Sequence, residues 1–202
     1  MFELNKLDFR QINKSLPVYV MNNFYQNPDE ILFYFNSTPP HPHKWALNTN
    51  NLNYFSDLRH NLNHADMKNV TERLISYFNL EGKKPHTKVT TNVFRMNCTK
   101  FNNYKDNYWA PHTDDLDGEV MTFLIYLNLE GCDGTNFYNA KRKFVGREHD
   151  SPWCSKNFYD LLLNVPSQYN MCLAFNTNIT HGMAINDNTF FNKFRLNQAI
   201  FI

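Results

Sequence analysis

The chain has 202 residues, enough to bury a sizeable core, and we expect a single domain over residues 1–202. Hydrophobic residues make up 42% and charged residues only 19% of the sequence, which excludes a disordered, highly charged chain. A net charge of +1 favours neither a nucleic-acid nor a membrane partner, and no apolar run is typical of a signal peptide or membrane span, so we expect a cytoplasmic protein.

The part of the chain before residue 86 carries helical patterns. A helix start is predicted where a cap residue precedes a proline and two acids, in the string Asn27-Pro28-Asp29-Glu30. A second helix is predicted from His64 to Phe78, because Met67, Val70 and Leu74 recur at steps that give one buried face. The proline-rich segment from Thr38 to His43 is predicted to be a loop.

After Lys88 the pattern changes to short segments rich in β-branched and aromatic residues. We place strands near Val89–Asn97, Tyr108–His112, Val120–Asn128, Thr135–Asn139, Met171–Asn176, His181–Ile185 and Lys193–Ile202. Such a mainly β pattern with N-terminal helices favours a double-stranded β-helix, a cupin-like jelly roll, over a doubly wound sheet. Residues 86–202 would form its catalytic core, residues 1–85 a helical buttress, and Lys141–Pro166 a long lid-like loop.

Candidate metal ligands stand at the end of one predicted strand and at the start of another. The string Ala110-Pro111-His112-Thr113-Asp114-Asp115 contains a His-x-Asp pair, whose two side chains point to the same side of an extended chain. His181 follows much later, in Ile179-Thr180-His181-Gly182. Two imidazoles and one carboxylate on one face of iron(II) leave three coordination positions open. Three further strings follow these ligands in chain order. Val120 to Asn128 and Gly134 to Tyr138 lie before His181, and Arg195-Leu196-Asn197 lies after it.

These motifs make residues 89–202 resemble the iron(II)- and 2-oxoglutarate-dependent oxygenase superfamily. The resemblance is strongest to its prolyl-hydroxylase-like branch and to small bacterial and phage relatives of unassigned substrate. It implies that His112, Asp114 and His181 are the catalytic iron ligands. It also implies that Arg195 and Tyr126 bind the far carboxylate of 2-oxoglutarate, with dioxygen as the second cosubstrate and hydroxylation as the expected reaction.

Arg195 suits that role on physical grounds, because a guanidinium stays charged when desolvated and grips a carboxylate through two parallel hydrogen bonds. Thr122, four residues before Tyr126, faces the same side of its predicted strand and is expected to line the same pocket. Asn197 stands where the superfamily commonly has Ser or Thr, and its amide can still donate a hydrogen bond.

Other polar residues are weaker candidates for the site. We rank Asp115 and Asp117 below Asp114 as ligands, and we expect His41 and His43 to lie in a loop that could edge the substrate mouth. A basic run keeps a nucleic-acid substrate open as a less favoured alternative to a small molecule: Lys141, Arg142, Lys143 and Arg147. Four widely spaced cysteines are expected to be reduced: Cys98, Cys132, Cys154 and Cys172.

Two further functions stay open at this point. A cupin-like metal dioxygenase or isomerase that does not use 2-oxoglutarate would explain the three ligands but not Arg195 and Tyr126. A non-catalytic jelly roll that binds a sugar or a partner protein would instead use an aromatic surface around Trp153, Phe158 and Tyr159.

Overall fold

The computed structural model describes residues 2–39, 41–42, 55–62, 64–82, 89–96, 104–114, 120–130, 133–141, 153–186 and 194–202. Within these ranges the protein is mainly β, with two α-helices, α1 (Pro28–Ser37) and α2 (His64–Tyr77). The strands in chain order are β1 (Arg10–Gln11), β2 (Val18–Met21), β3 (His41–Pro42), β4 (Phe55–Leu62), β5 (Val89–Met96), β6 (Asn107–Trp109), β7 (Met121–Tyr126), β8 (Thr135–Ala140), β9 (Trp153–Ser155), β10 (Tyr159–Val165), β11 (Met171–Asn176), β12 (His181–Met183) and β13 (Phe194–Phe201). Neither helix combines the length and the apolar character that a membrane span needs.

The strands form a large sheet, a small sheet and a two-stranded ribbon, all with antiparallel pairing. The large sheet has eight strands in the order β1-β2-β11-β7-β13-β5-β4-β3. The small sheet has the order β10-β8-β12, and β6 pairs with β9. Strand β7 is central in the large sheet, with β11 on one side and β13 on the other.

The alternation of side chains along β7 separates two hydrophobic cores. Phe123 and Ile125 point outward into a core that the two helices cover with Ile31, Phe35 and Leu74. Tyr126 points inward, into a second core that also contains residues of β8, β11 and β2. The helices therefore cover the outer face of the large sheet and leave its inner face to the small sheet.

The small sheet packs on that inner face. The rings of Phe137 on β8 and Phe175 on β11 lie 5.0 Å apart at 81°, an edge-to-face contact between the two sheets. Paired residues lie on the same face, so Asn197 on β13 points inward with Tyr126. Thr122 lies four residues before Tyr126 on β7 and points the same way. The space between the sheets is thus lined by both aromatic and polar side chains.

Both predicted helices and all seven predicted strand regions are present, with ends shifted by a few residues. The first helix begins at Pro28 with Asp29 and Glu30 in its first turn, although the Asn27 side chain makes no capping hydrogen bond. Strand β11 has the predicted bounds, Met171–Asn176. The mainly β class expected from the sequence is confirmed.

The region of residues 1–85, expected to be a helical buttress, contains both helices but also supplies four strands of the large sheet. Val18–Met21 is too short to show a period, and Phe55–Leu62 does not alternate apolar and polar residues. Strand β4 pairs with β5 along its whole length, so tertiary pairing rather than local sequence makes it a strand. The predicted loop from Thr38 to His43 likewise contains a two-residue strand, His41–Pro42, because that segment pairs with the edge of β4.

The expectation of one long loop over Lys141–Pro166 is also wrong in its second half. This stretch contains β9, a short 3₁₀ helix at Lys156–Phe158, and β10. Strand β10 contains a run of three leucines, and its register with β8 shifts between Leu161 and Leu163. Such a bulge hides the period of two that identifies a strand in a sequence.

Candidate metal centre

A backbone ladder brings His112 and His181 side by side. The two residues form an isolated antiparallel bridge in which each amide donates to the other's carbonyl at 2.8 Å. Ala110, just before, has φ of 37°, an uncommon value for a residue with a side chain, and the chain turns there after β6. The amide of Asp114 then donates to the carbonyl of Thr177 at 2.9 Å, which fixes the third candidate ligand.

The three side chains converge on one point. Nε2 of His112 lies 3.4 Å from Oδ1 of Asp114, and Nε2 of His181 lies 3.3 Å from Oδ2. All the potential ligand atoms lie within 4.8 Å of one another. Ligands at right angles around a metal at about 2.1 Å are about 3 Å apart. The spacing therefore fits three ligands on one face of an octahedral ion.

The second ring nitrogen of each histidine is held by the backbone. Nδ1 of His112 lies 2.7 Å from the carbonyl oxygen of Ala110, and Nδ1 of His181 lies 3.0 Å from that of Ile179. Because a carbonyl can only accept a hydrogen bond, Nδ1 carries the hydrogen in both rings. Each Nε2 then presents a lone pair, as a metal ligand must.

The charge states of the site also suit a cation. Burial tends to raise the pKa of Asp114, but the two neighbouring histidines and the hydrogen bond from the Thr122 hydroxyl together lower it to about 2. Burial, followed by the neighbouring His112, lowers the pKa of His181 to about 4, although the carboxylate of Asp114 acts in the opposite direction. At neutral pH the site thus offers a carboxylate and a neutral buried imidazole.

The site has one closed and one open side. His181 is 4% exposed, and its ring lies 4.5 Å from that of Phe175. The side chain of His112 is 51% exposed, whereas that of Asp114 is 13% exposed. A bound ion would therefore be accessible from the side of His112.

Arg195 is buried in the space between the two sheets. It is 4% exposed, and its guanidinium carbon lies 5.6 Å from the centre of the Tyr126 ring. Its Nη2 donates a hydrogen bond to the carbonyl of Gly134 at 3.0 Å, whereas its Nε has no hydrogen-bond partner. A desolvated cation with a free donor needs an anion, and the protein places none of its described carboxylates in a salt bridge with it.

The other predicted cosubstrate residues lie around Arg195. The hydroxyl of Tyr126 lies 2.7 Å from that of Thr135 in a buried hydrogen bond. Asn197 pairs with Tyr126 across the sheet, is 3% exposed, and leaves its Oδ1 without a partner. The roles of Arg195, Tyr126 and Asn197 toward 2-oxoglutarate stay predictions.

Thr122 has a neighbour that the sequence did not predict. Its hydroxyl donates to Oδ2 of Asp114 at 2.8 Å, so it contacts the candidate metal ligand. Its inward direction on β7 was predictable from the strand alternation. The position of the loop that carries Asp114 next to Thr122 was not predictable from the sequence.

Sequence reasoning missed Thr135 and the backbone of Gly134. Gly134 has φ of +78°, and an added Cβ would lie 1.9 Å from the carbonyl oxygen of Val165. A glycine in a turn before a strand is the pattern that marks such a close approach. Thr135 faces inward two residues before Phe137, which the period of a strand predicts once its start is known.

Several other candidates fall outside the described residues: Asp115, Asp117, His43, Arg142, Lys143, Arg147, Cys98 and Cys132. Among the described residues, Lys141 pairs with Asp160 at 2.8 Å, and Cys154 and Cys172 are free thiols.

Trp153 is 9% and Tyr159 is 5% exposed. Of the three aromatic residues of the alternative binding surface, these two are therefore buried and Phe158 is partly buried.

Comparison with known proteins gives a family and a fold. A family model described as "Family of unknown function (DUF6445)" matches residues 5–153, a stretch that includes His112 and Asp114 but not His181. No curated protein matches the sequence. A prolyl-4-hydroxylase from Pseudomonas putida is similar in structure, with a TM-score of 0.52 and 10% sequence identity, over 93% of this chain and 92% of that chain.

Two other solved structures are similar at a lower TM-score of 0.49. One is an oxidoreductase of the 2OG-Fe(II) oxygenase family from Burkholderia pseudomallei, 9% identical over 92% of this chain and 83% of that chain. The other is the epimerase SnoN in complex with Fe3+, alpha ketoglutarate and nogalamycin RO, 14% identical over 92% and 78%. The prolyl-4-hydroxylase match confirms the resemblance at the level of the fold.

Proposed function

We propose that this chain, which belongs to the DUF6445 family of unknown function, is an iron(II)- and 2-oxoglutarate-dependent dioxygenase. The proposed reaction is hydroxylation of a substrate still to be identified. One observation carries the proposal: a converging His-Asp-His face and a buried arginine with a free donor share one interior. The His-Asp-His face accounts for a metal, and the arginine accounts for an anionic cosubstrate.

We propose further that the two facing sheets form a double-stranded β-helix of the jelly-roll type. The support is the antiparallel pairing of both sheets, their contact through Phe137 and Phe175, and the fold shared with the Pseudomonas putida prolyl-4-hydroxylase. His112 lies shortly after β6 and His181 begins β12, so the ends of strands supply both candidate histidine ligands.

When bound, iron(II), 2-oxoglutarate and dioxygen supply the oxidation: 2-oxoglutarate becomes succinate and carbon dioxide, and one oxygen atom enters a substrate C–H bond. His112, Asp114 and His181 would hold the metal and would leave coordination positions for the cosubstrates. The backbone carbonyls of Ala110 and Ile179 keep both Nε2 atoms free for that purpose.

Arg195 orients the cosubstrate in this proposal. Its Nη2 is already held by the Gly134 carbonyl, so the guanidinium plane is fixed before a ligand arrives. The free Nε donor is then available for the far carboxylate of 2-oxoglutarate. The hydroxyls of Tyr126 and Thr135 and the amide of Asn197 add neutral polar groups nearby.

The proposed substrate enters from the side of His112. That ring is half exposed, whereas Phe137 and Phe175 close the opposite side of His181 and exclude water from it. A small molecule or an exposed segment of a macromolecule would reach the metal by this route. A nucleic-acid substrate is the less favoured alternative.

A cupin-like enzyme that uses no 2-oxoglutarate is the second candidate, and the buried charge of Arg195 argues against it. A charge without a counterion in a protein interior is costly unless a ligand compensates it. A catalytically inactive binding module has no described observation in its favour.

The experiment that tests the proposal is an anaerobic titration of iron(II)-loaded protein with 2-oxoglutarate, followed through the visible charge-transfer band of the chelate. We expect the band in the wild type and a large increase in the required 2-oxoglutarate concentration in Arg195→Ala. Removal of one partner of a buried charged hydrogen bond costs about 2–5 kcal/mol, which corresponds to roughly 30- to 4,000-fold.

Arg10→Ala is the matched control, because Arg10 is exposed on β1 and lies outside the interior. It should titrate like the wild type. Bound iron without any band in the wild type would contradict the proposal and favour the cupin-like alternative.

A further inference from the structure

The carboxylate of Asp114 has a partner that is not a metal ligand. Thr122 on β7 donates its hydroxyl hydrogen to Oδ2 at 2.8 Å. Thr122 is fully buried, and the Asp114 side chain is 13% exposed. Because little water competes for this bond, its loss would leave a carboxylate oxygen poorly satisfied in a protected site.

The position of the Thr122 hydroxyl is fixed by the large sheet. Thr122 lies in register between Phe175 on β11 and Phe201 on β13, so strands on both sides hold its backbone. Asp114, in contrast, lies outside the named strands. Its backbone is held through the bond from its amide to the carbonyl of Thr177. The hydroxyl therefore links a side chain on a less regular segment to a central strand.

This link bears on the geometry of the three candidate ligands. The carboxylate oxygens lie 3.4 Å from Nε2 of His112 and 3.3 Å from Nε2 of His181, and both distances depend on the rotation of the carboxylate plane. The two imidazoles have their own anchors in the carbonyls of Ala110 and Ile179. Among the described residues, Thr122 provides the corresponding anchor for the carboxylate.

We propose that Thr122 is a positioning residue of the metal centre, whose hydroxyl holds one oxygen of Asp114 and thereby presents the other to the metal. The inference rests on the proposed function, because it requires that the site binds a metal. It assigns to Thr122 a role in metal affinity rather than a contact with the far end of the cosubstrate.

A purely structural role for the same hydrogen bond makes a different prediction. Removing a buried hydroxyl would then lower the stability of the metal-free protein and leave the metal affinity unchanged. Partners that orient a metal ligand typically change metal affinity by about 10- to 100-fold when they are removed. Metal affinity and metal-free stability therefore separate the two roles.

The test is a titration of the metal-free protein with Co2+, followed by visible absorption, in the wild type, Thr122→Val and Thr122→Ser. Valine has the shape of threonine without the hydroxyl, and serine keeps the hydroxyl. We expect Thr122→Val to weaken Co2+ binding by about 10- to 100-fold and Thr122→Ser to restore most of the affinity. If Thr122→Val does not fold, Thr122→Ala replaces it, because alanine also lacks the hydroxyl and adds no metal ligand.

Thr71→Val is the matched control. Thr71 is also fully buried, but its hydroxyl donates to the carbonyls of Met67 and Lys68 within α2. It should leave Co2+ affinity unchanged, and melting curves of the metal-free variants give the stability cost of each lost hydroxyl.

The outcomes distinguish a failure of this inference from a failure of the proposed function. Equal Co2+ affinity in Thr122→Val and the wild type overturns the role of Thr122 and leaves the proposed function intact. Weak binding in Thr122→Ser as well as in Thr122→Val also overturns it, because the hydroxyl is then not what matters. A folded wild type that binds no Co2+ and no iron overturns the proposed function together with this inference.

Discussion

Both candidate histidine ligands depend on backbone carbonyls for their orientation. Ala110 and Ile179 accept from the two Nδ1 atoms, and each lies two residues before the histidine that it holds. A backbone carbonyl cannot be removed by a side-chain substitution. The ring orientations should therefore persist in most variants of the site, whereas the carboxylate depends on the Thr122 side chain.

Gly134 is the residue whose size the fold restricts most visibly. It has φ of +78°, and a Cβ at this position would meet the carbonyl oxygen of Val165 at 1.9 Å. We expect Gly134→Ala to destabilise the protein by about 2 kcal/mol or more, since left-handed strain alone costs about 1–2 kcal/mol. Urea denaturation measures this loss.

Gly82→Ala is the control for Gly134→Ala. Gly82 also has a positive φ, +84°, but nothing lies within 4 Å of the position of its Cβ. It should show the conformational cost of about 1–2 kcal/mol without the steric part. Equal losses in the two variants would mean that the Val165 carbonyl moves aside easily.

The residues of the candidate site could be predicted from the sequence to an unequal degree. His112, Asp114 and His181 stand out because their types and order match one chemistry, and the structure brings them together. The hydrogen bond from Thr122 to Asp114 could not be predicted, because it joins a strand to a loop. Contacts of this kind depend on how the chain is packed rather than on local pattern.

At the scale of elements, long periodic segments were predictable and segments shaped by their partners were not. Helix α2 shows its buried face in the sequence, and β11 is a continuous apolar run. Strand β4 is polar and becomes a strand only because β5 pairs with it. Strand β10 contains a bulge, so the alternation that identifies a strand is missing.

Helix α2 should contribute to stability without affecting the site directly. Leu74 is fully buried in the outer core, on the face of the large sheet that lies away from the candidate ligands. We expect Leu74→Ala to lower the free energy of unfolding by about 2–5 kcal/mol because it leaves a cavity. Metal affinity of the folded variant should stay within about twofold of the wild type, as expected for distant sites.

The control for Leu74→Ala lies on the exposed face of the same helix. Lys68 pairs with Glu72 at 3.8 Å, and their side chains are 65% and 62% exposed. Lys68→Ala should change stability by less than about 0.5 kcal/mol. A loss in Lys68→Ala as large as that in Leu74→Ala would contradict this account, because the exposed ion pair would then matter as much as the buried leucine.

At the scale of the whole molecule, buried neutral acids make the fold sensitive to high pH. Burial raises the pKa of Tyr25 well above its ordinary value, with a smaller contribution from Cys172, although its hydrogen bond to Gln198 at 2.6 Å acts in the opposite direction. Burial also raises the pKa of the Cys172 thiol. Both groups are fully neutral in the folded protein at pH 7.

The sign of the effect follows from linkage between folding and proton binding. A raised pKa in the folded state means that the folded protein binds the proton more tightly than the unfolded chain. This stability is fully present below the unfolded pKa, about 8.5 for a cysteine and about 10 for a tyrosine, and is lost as the pH rises above those values. Urea denaturation at pH 8 and pH 10.5 should therefore show lower stability at the higher pH.

Tyr25→Phe tests whether this tyrosine contributes to the alkaline loss. The variant should be less stable than the wild type at pH 8, because Gln198 loses its partner, but its stability should fall less steeply with pH. An equal slope in the two proteins would assign the alkaline sensitivity to other groups.

The two sheets together enclose the polar interior on which the functional proposal depends. One measurement tests that proposal most directly: the oxygen-dependent formation of succinate from 2-oxoglutarate by iron-loaded wild type, His112→Ala, Asp114→Ala and His181→Ala. We predict succinate formation by the wild type and its loss in all three variants, with the control His60→Ala, a buried histidine of β4, retaining the activity. Succinate formation at the wild-type rate in any of the three variants, or none in a wild type that binds iron and 2-oxoglutarate, would contradict it.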